Sequence, residues 1–455
     1  MALLPRLLYL ASIPPEAVLE SVDARGYDQL ARNLRAGHGF SLTSSSAPEP
    51  ADGLRTPLYP LFVSAIYTLV GPQPVAVAVV QALLDSLTAL LVGAIAAWLM
   101  GHRAGLIAAA LYALTPVQWR YSAALLTEIP LAFLITLTTW LWLKLIHSPR
   151  HSTAAICGAT AGLVALCKPN VAGLAFLLAL ATGWALRAKR HAIILLSTAM
   201  LFVTPWLTRN WLTFGRPFLS NAALGYVARV TAPATLGVVQ GHQVPPWSPE
   251  WEARYHDIVT QAARRYGWSL EDSPPSPSAA DRRERQIAQV AWETVLAHPW
   301  AAVRAHLTGF VRAWAPQEQA FWYSHLTGRP WENQNVAANV YRDAVEILCA
   351  GRPFEAFTFA FVRPWTRLDL WGCLLWYAWG VGHLLAVALM FAGGWRLRRR
   401  PALVLLLGTL MLYATLPPGP IGYVRFRVPV VPLMTILELA GLSSITRGIV
   451  QRWRA

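Results

Sequence analysis

The chain is short of charged residues, and its few cysteines are scattered. Of its 455 residues only 13% are charged, while 55% are hydrophobic. A soluble domain carries about 25% charged residues, so this shortage argues against a soluble enzyme, and the apolar content argues against a disordered chain. The four cysteines, at positions 157, 167, 349 and 373, form neither a disulfide framework nor a metal-binding spacing.

Apolar runs of nearly membrane-spanning length are abundant instead. They cover residues 75–100, 105–122, 129–146, 152–167, 171–187, 191–207, 372–394, 401–416 and 428–446. Because about 20 apolar residues cross the hydrocarbon core of a bilayer, the sequence predicts an all-α polytopic membrane protein, a bundle of about 9–11 transmembrane helices with a mixed outer-face domain.

Two shorter apolar segments need separate treatment. Met1–Ser12 is half a span and contains Arg6; it either lies at the membrane interface or is the remainder of a longer first helix, and both alternatives stay open. Pro57–Val70 is bounded by proline and glycine. We predict that this segment is an interfacial helix that stays on one side of the membrane.

The basic residues predict the orientation. One set of short loops and the carboxyl-terminal tail hold most of them: Arg103, Lys144, Arg150, Arg187, Lys189, Arg190, Arg396, Arg398, Arg399, Arg400, Arg447, Arg452 and Arg454. The opposite short loops hold only Arg120, Lys168, Arg425 and Arg427. Cytoplasmic loops are enriched in Lys and Arg, so the first set is predicted to be cytoplasmic, and the net charge of +15 requires no nucleic-acid partner.

This orientation divides the chain into three parts. Residues 1–207 form an amino-terminal transmembrane module whose first loop, 13–56, lies outside the cell. Residues 208–370 form an outer-face domain, in which 287–314 mixes tryptophans with polar residues and predicts helices lying against the membrane. Residues 371–455 supply the last transmembrane helices and a cytoplasmic tail. The protein is therefore expected to be a multi-pass protein of the cytoplasmic (inner) membrane, in contact with membrane lipids.

Two acids on the predicted outer face are candidates for chemistry. Asp23 precedes an amphipathic helix, and capping that helix is its structural alternative, whereas Asp28 is expected to face solvent. Glu128 follows Thr127, which could cap the next helix, so that Glu128 would be a first-turn acid. An acid between apolar runs at membrane depth is nevertheless costly, and such residues are by default functional candidates.

Cations collect on the same predicted face. They are Arg55, Lys168, Arg209, Arg425 and Arg427. Snorkelling to lipid phosphates is the alternative explanation, but it is weaker on the outer side, where basic residues are disfavoured. Acids and cations together suit an anionic, phosphate-bearing substrate.

Several of these residues stand in strings that resemble a known family. The strings are Asp23-Ala-Arg-Gly-Tyr27-Asp-Gln-Leu-Ala31, Gly37-His-Gly-Phe40, Arg55-Thr-Pro-Leu-Tyr-Pro60, Leu126-Thr-Glu-Ile-Pro130, Cys167-Lys-Pro169, Pro205-Trp-Leu-Thr-Arg-Asn210 with Phe214-Gly215 and Asn221, and Arg425-Phe-Arg-Val-Pro429 with Pro432. They resemble polyprenyl-phosphate-sugar glycosyltransferases of the GT-C fold, the family 39 superfamily of protein O-mannosyltransferases and the lipid A aminoarabinose transferase.

The resemblance implies an inverting sugar transfer at the outer leaflet. Asp23 would be the catalytic base, and Glu128 would shape the site. A set of further residues would bind the lipid-linked donor: Arg55, Tyr59, Lys168, Arg209, Asn210, Arg425 and Arg427. The acceptor would be a protein, a lipid or a glycan. No cofactor is required, although a divalent cation is possible.

The chemistry of such a transfer requires one base and a group of cations that bind the donor phosphate, which we call the cationic clamp. A hydroxyl acceptor needs a carboxylate to take its proton, whereas a departing polyprenyl phosphate is a stable anion that cations stabilise further. A secondary transporter or lipid flippase is the main rival, but transporters tend to show repeat symmetry and charges at the bilayer midplane. A non-catalytic scaffold would need neither Asp23 nor Glu128.

The basic-loop count yields a topology prediction. A cysteine placed at Ser45 should react with a membrane-impermeant maleimide in intact cells, because residues 13–56 are expected outside. Labelling that appears only after permeabilisation would contradict the predicted orientation.

Overall fold

The computed structural model describes residues 1–42, 51–187, 189–241, 246–316, 318–328, 344, 347–348, 350–362 and 370–452. Regular structure within these ranges is helical, and the only strand-like feature there is an isolated antiparallel bridge between Ser41 and Ala51. The predicted all-α class is therefore confirmed. Ser45, the proposed labelling position, lies outside the described residues; Ala36 and Ser269 are exposed and serve the same experiment.

The amino-terminal module consists of ten helices that we label α1 to α10. They are α1 (Leu3–Ser12), α2 (Val22–Arg35), α3 (Leu58–Val70), α4 (Pro74–Met100), α5 (His102–Ala113), α6 (Pro116–Ala123), α7 (Glu128–His147), α8 (His151–Cys167), α9 (Leu174–Leu186) and α10 (Lys189–Phe214).

The remaining described helices follow in two groups. The first contains α11 (Ala222–Tyr226), α12 (Ala232–Val239), α13 (Pro249–Tyr266), α14 (Pro277–Ala297), α15 (Pro299–Trp314), α16 (Gln319–Thr327) and α17 (Pro353–Phe361). The second contains α18 (Leu370–Arg396), α19 (Pro401–Thr415) and α20 (Val431–Arg452).

Many of these helices are suited to a membrane. Among the described residues, seven helical segments are long and apolar enough to cross it: 74–100, 128–147, 169–186, 189–214, 222–239, 370–399 and 424–443. Four shorter apolar helices, α1, α3, α8 and α19, accompany them. A helix satisfies its own backbone hydrogen bonds, as lipid requires. The chain is a multi-pass membrane protein.

The structure changes two of the predicted elements. The run 105–122 is not one span, because it divides into α5 and α6 at Thr115. Pro116 starts α6, and proline, which lacks a backbone N–H, is suited to the first turn of a helix but not to its interior. The apolar stretch 222–239, predicted as part of the outer domain, is long enough to span, yet it packs against α13, α14 and α15.

A buried ion pair fixes α1. Arg6 and Asp85 of α4 are both fully buried, and their side chains are joined at 2.5 Å. Tyr112 of α5 donates to the same carboxylate at 2.5 Å, so α1 is packed within the bundle. Asp85 was overlooked in the sequence, although it is a single acid inside an apolar run.

Two contacts between helices bring the functional segments together. Asp28 is buried, not solvent-facing as predicted, because it accepts a hydrogen bond from Tyr67 of α3 at 2.5 Å and pairs with Arg32. On the other side of the module, Gly162 of α8 lies against Ala199 of α10 so closely that a Cβ would be 2.8 Å from the Ala199 oxygen. Small residues permit this approach, and the carboxyl end of α8 packs against Val203 and Trp206 of α10.

The Arg6–Asp85 pair supports a stability prediction. Asp85→Ala leaves a buried unpaired guanidinium and should destabilise the protein by about 3–5 kcal/mol, whereas the double variant Arg6→Met with Asp85→Leu should recover most of that loss. Thermal inactivation in detergent measures both, with the exposed Arg103→Ala as control. An Asp85→Ala protein as heat-resistant as the control would refute a structural role for the pair.

Candidate functional site

Four predicted site residues form one network of ion pairs. Arg425 donates from Nη1 to Asp23 Oδ2 at 2.6 Å and from Nε to Glu128 Oε1 at 2.7 Å. Lys168 Nζ lies 2.7 Å from the same Glu128 oxygen. The two carboxylates and two cations come from α2, α7, the segment after α8 and the loop before α20. Charge-assisted hydrogen bonds of this kind are among the strongest in proteins.

The two acids differ in exposure. The Asp23 side chain is 43% exposed, whereas that of Glu128 is 0% exposed. Glu128 is thus a buried charge that is tolerated because two cations flank it. Asp23 is the carboxylate that solvent or a second substrate can reach.

The capping alternative for Asp23 is wrong, whereas Glu128 is a first-turn acid after Thr127, as its alternative predicted. Helix α2 is capped by Ser21, whose hydroxyl accepts a hydrogen bond from the Ala24 backbone N–H at 3.1 Å. At α7, Thr127 makes no side-chain capping bond. Asp23 therefore lies in the first turn with its carboxylate directed to Arg425 instead of to the helix end.

Arg55 and Tyr27 lie beside this network. The Arg55 guanidinium lies 5.4 Å above the Tyr27 ring and so close to Gly26 that a Cβ there would be 2.8 Å from its Cζ. Tyr27 meets Tyr59 edge-on at 4.8 Å. Burial and, next, the charge of Asp23 raise the pKa of Tyr27 well above its usual range, so its phenol stays a neutral donor at physiological pH.

Tyr59 has a defined partner inside the protein. Its hydroxyl donates to Gln81 of α4 at 2.7 Å, and Gln81 in turn donates to the carbonyls of Ser122 and Ala124. Tyr59 thereby joins α3 and α4 to the chain segment that leads into Glu128.

Arg209 and Asn210 are connected to Arg55 through Asp52. Arg209 Nη1 donates to the Asp52 carbonyl at 3.2 Å and to Asn210 Oδ1 at 2.7 Å, and Asp52 Oδ2 pairs with Arg55 at 3.0 Å. Asn210 is fully buried and donates to the Phe218 carbonyl. Asp52 was missed in the sequence. The spacing of an acid three residues before Arg55 could have indicated this ion pair.

Arg209 is also enclosed by aromatic rings. Its guanidinium carbon lies 5.4, 4.7 and 5.4 Å from the ring centres of Phe40, Trp206 and Phe214. Such contacts hold a cation within a partly apolar surrounding. Snorkelling alone does not describe this side chain, because its hydrogen bonds are with protein atoms.

Arg427 does not join the four-residue network. Its Nη1 lies 3.2 Å from the Trp314 carbonyl and 3.2 Å from His383 Nε2. Within the described residues, no group of three or more His, Cys, Asp or Glu side chains is arranged to hold a metal ion. The divalent cation stays an untested possibility.

Residues 54–208 match the family model described as dolichyl-phosphate-mannose-protein mannosyltransferase. The helical membrane fold and this match support the class that the sequence predicted, a membrane glycosyltransferase that uses a lipid-phosphate-linked sugar. The match agrees with the family that the sequence resemblance predicted. It contains Arg55, Tyr59, Glu128 and Lys168 and spans about a third of the chain. No curated protein matches the chain.

The geometry gives a prediction for Lys168. Lys168→Ala should weaken binding of a polyprenyl-phosphate sugar about tenfold to a hundredfold, the value of a charge-assisted hydrogen bond, because Arg425 alone would face the phosphate. Arg209→Ala should weaken donor binding in the same direction. The control is Lys144→Ala, since Lys144 is exposed at the far end of α7.

Equilibrium binding of the donor to purified protein in nanodiscs measures these effects. Donor affinities of Lys168→Ala and Arg209→Ala equal to that of the control would remove both residues from the donor site.

Proposed function

We propose that the protein transfers a sugar, with inversion, from a polyprenyl-phosphate donor to an acceptor hydroxyl at the outer face of the cytoplasmic membrane. The observation that carries this proposal is the position of Asp23. It is an accessible carboxylate in contact with Arg425, and Lys168 contacts the same Glu128 oxygen as Arg425 does. A base and a phosphate-binding pair are thus next to each other.

The chemical step needs only these groups. The acceptor oxygen bonds to the anomeric carbon while its proton passes to Asp23. The bond from the anomeric carbon to the phosphate oxygen breaks, and its electron pair leaves with the polyprenyl phosphate. Arg425 and Lys168 stabilise the added negative charge, with Arg55 at the edge of the site. No general acid is required.

The environments of the acids distinguish their roles. Glu128 is buried and bonded to both cations, so we assign it to holding Arg425 and Lys168 in position. Asp23 has the exposure that a base needs to meet an acceptor. Tyr59 and Asn210 use their polar groups within the protein, so they support the site through Gln81 and the segment around Phe218.

The proposed face rests on where the basic residues lie along individual helices. In α7, Glu128 is the first residue and Lys144 lies in the last turn of the 20-residue helix, which is about 30 Å long. In α19, Arg400 precedes the first residue, and the loop with Arg425 follows the last. The site and the basic loops thus occupy opposite ends of the same helices, which favours an outer site.

The base assignment is tested by Asp23→Asn. Asn retains a hydrogen-bond acceptor for Arg425 but cannot take a proton, so donor binding should persist while turnover falls on the order of a hundredfold to ten-thousandfold. Transfer from radiolabelled polyprenyl-phosphate sugars to protein, lipid and glycan acceptors gives the rate and identifies the acceptor class.

Glu20→Gln is the control, because Glu20 is an exposed acid just before α2. Turnover of Asp23→Asn within a few-fold of the control would reject Asp23 as the base.

A further inference from the structure

The loop that carries Arg425 has little regular structure of its own. Residues 416–430 connect α19 to α20 through three short 3-10 turns, Gly419–Ile421, Val424–Phe426 and Val428–Val430. Six of the fifteen residues are proline or glycine, and five of these lie in the segment Pro417-Pro-Gly-Pro-Ile-Gly422. Such a loop does not by its own hydrogen bonding hold a guanidinium in one place, so neighbouring elements must do so.

Helix α15 touches the middle of this loop at backbone distance. A Cβ added to Gly309 would overlap the carbonyl oxygen of Gly419 and lie 2.7 Å from the Pro420 Cα. A Cβ added to Gly422 would overlap the carbonyl oxygen of Gly309. These neighbours are main-chain atoms, which cannot rotate away as a side chain can.

The carboxyl end of α15 holds both ends of the loop. Trp314 Nε1 donates to the hydroxyl of Thr415, the last residue of α19, at 3.2 Å. The Trp314 carbonyl accepts from Arg427 Nη1 at 3.2 Å. A cation at the end of a helix also interacts favourably with the helix dipole.

We propose that α15 is the positioning element for Arg425, and that Gly309 and Arg427 are positioning residues that act through it. The three contacts lie at Thr415 just before the loop, at Gly419–Gly422 in its middle and at Arg427 near its end. Arg427 is then an anchor of the loop to α15 and not a ligand of the donor phosphate. The proposal rests on the proposed function, because it takes Arg425 to be the phosphate-binding cation.

The expected effect follows from the geometry at Arg425. Its hydrogen bonds to Asp23 and Glu128 are 2.6 and 2.7 Å long, and such bonds weaken steeply when the atoms separate. An alanine at 309 forces the loop backbone to move away. A displacement of about 1 Å in a positioning group can reduce the rate about a hundredfold.

The main test is Gly309→Ala in the full-length protein in nanodiscs. Turnover should fall at least about tenfold, and donor affinity should fall with it, since the clamp is displaced. Gly408→Ala is the matched control, because Gly408 lies within α19 and a Cβ there meets nothing within 4 Å. It should retain activity within about twofold.

A double-mutant cycle separates positioning from general damage. In the Arg425→Lys background, Gly309→Ala should have little further effect on donor affinity, because the group that it displaces is already altered. Equal losses in both backgrounds would show that Gly309→Ala damages the protein without acting through Arg425, and would overturn the proposal.

A milder pair keeps the test valid if Gly309→Ala does not fold. Trp314→Phe and Thr415→Val each remove the hydrogen bond between α15 and α19. Thr415→Val preserves the packing volume, and Trp314→Phe keeps an aromatic ring of smaller size. Each should lower donor affinity several-fold, and the double variant should lower it no further than either alone. Wild-type affinity in both would count against α15 as the positioning element.

The outcomes also separate this proposal from the proposed function. Unchanged donor affinity in Arg425→Lys alone would reject the cationic clamp itself. A strong loss in Arg425→Lys together with a Gly309→Ala protein that behaves like Gly408→Ala would reject only the role of α15.

Discussion

Arg425 is the residue on which the arrangement of the site depends. Its guanidinium bonds to two carboxylates that are 402 and 297 residues away in sequence. Through these bonds the first turn of α2, the start of α7 and the loop before α20 meet at one point. A buried carboxylate such as Glu128 is costly unless it is paired, so the burial of α7 at its amino end requires Arg425 and Lys168. The same cations that make this burial tolerable are available to a phosphate.

The network also explains how two acids close together can have different functions. Glu128 is buried and shared by two cations, which fixes its ionised form and uses its hydrogen-bonding capacity. Asp23 has one cationic partner and is partly open to solvent. A carboxylate of the first type orients its neighbours, and one of the second type can exchange a proton with a substrate. Environment, not residue type, therefore separates the roles in our proposal.

Much of the fold and the membership of the site could be predicted from the sequence, because hydropathy and the cost of membrane-depth charges are local signals. The spans around 75–100 and 129–146 correspond to α4 and α7. The division of 105–122 at Pro116 and the burial of Asp28 were not predicted. Two pairings could not be predicted, that of Arg6 with Asp85 and that of Arg425 with both acids. Contacts between residues 79 to 402 positions apart leave no periodic pattern in the sequence. Capping of α2 was the structural alternative for Asp23, but Ser21, two residues earlier, supplies the cap.

In our proposal, the irregular loop 416–430 connects helices α11 and α15 to the position of Arg425. Backbone polar groups near a membrane must find partners, and the turns of this Pro/Gly-rich loop satisfy only some of them internally. Neighbouring helices supply these partners. Tyr226 of α11 donates a hydrogen bond to the Pro418 carbonyl. Gln118 of α6 does the same for the Val428 carbonyl at 3.1 Å. A regular helix would satisfy the hydrogen bonds of its own backbone, but its side chains would project from the axis at fixed angles. An irregular segment held by neighbours can instead direct Arg425 to Asp23 and Glu128 at once, while Arg427, two residues later, reaches the end of α15.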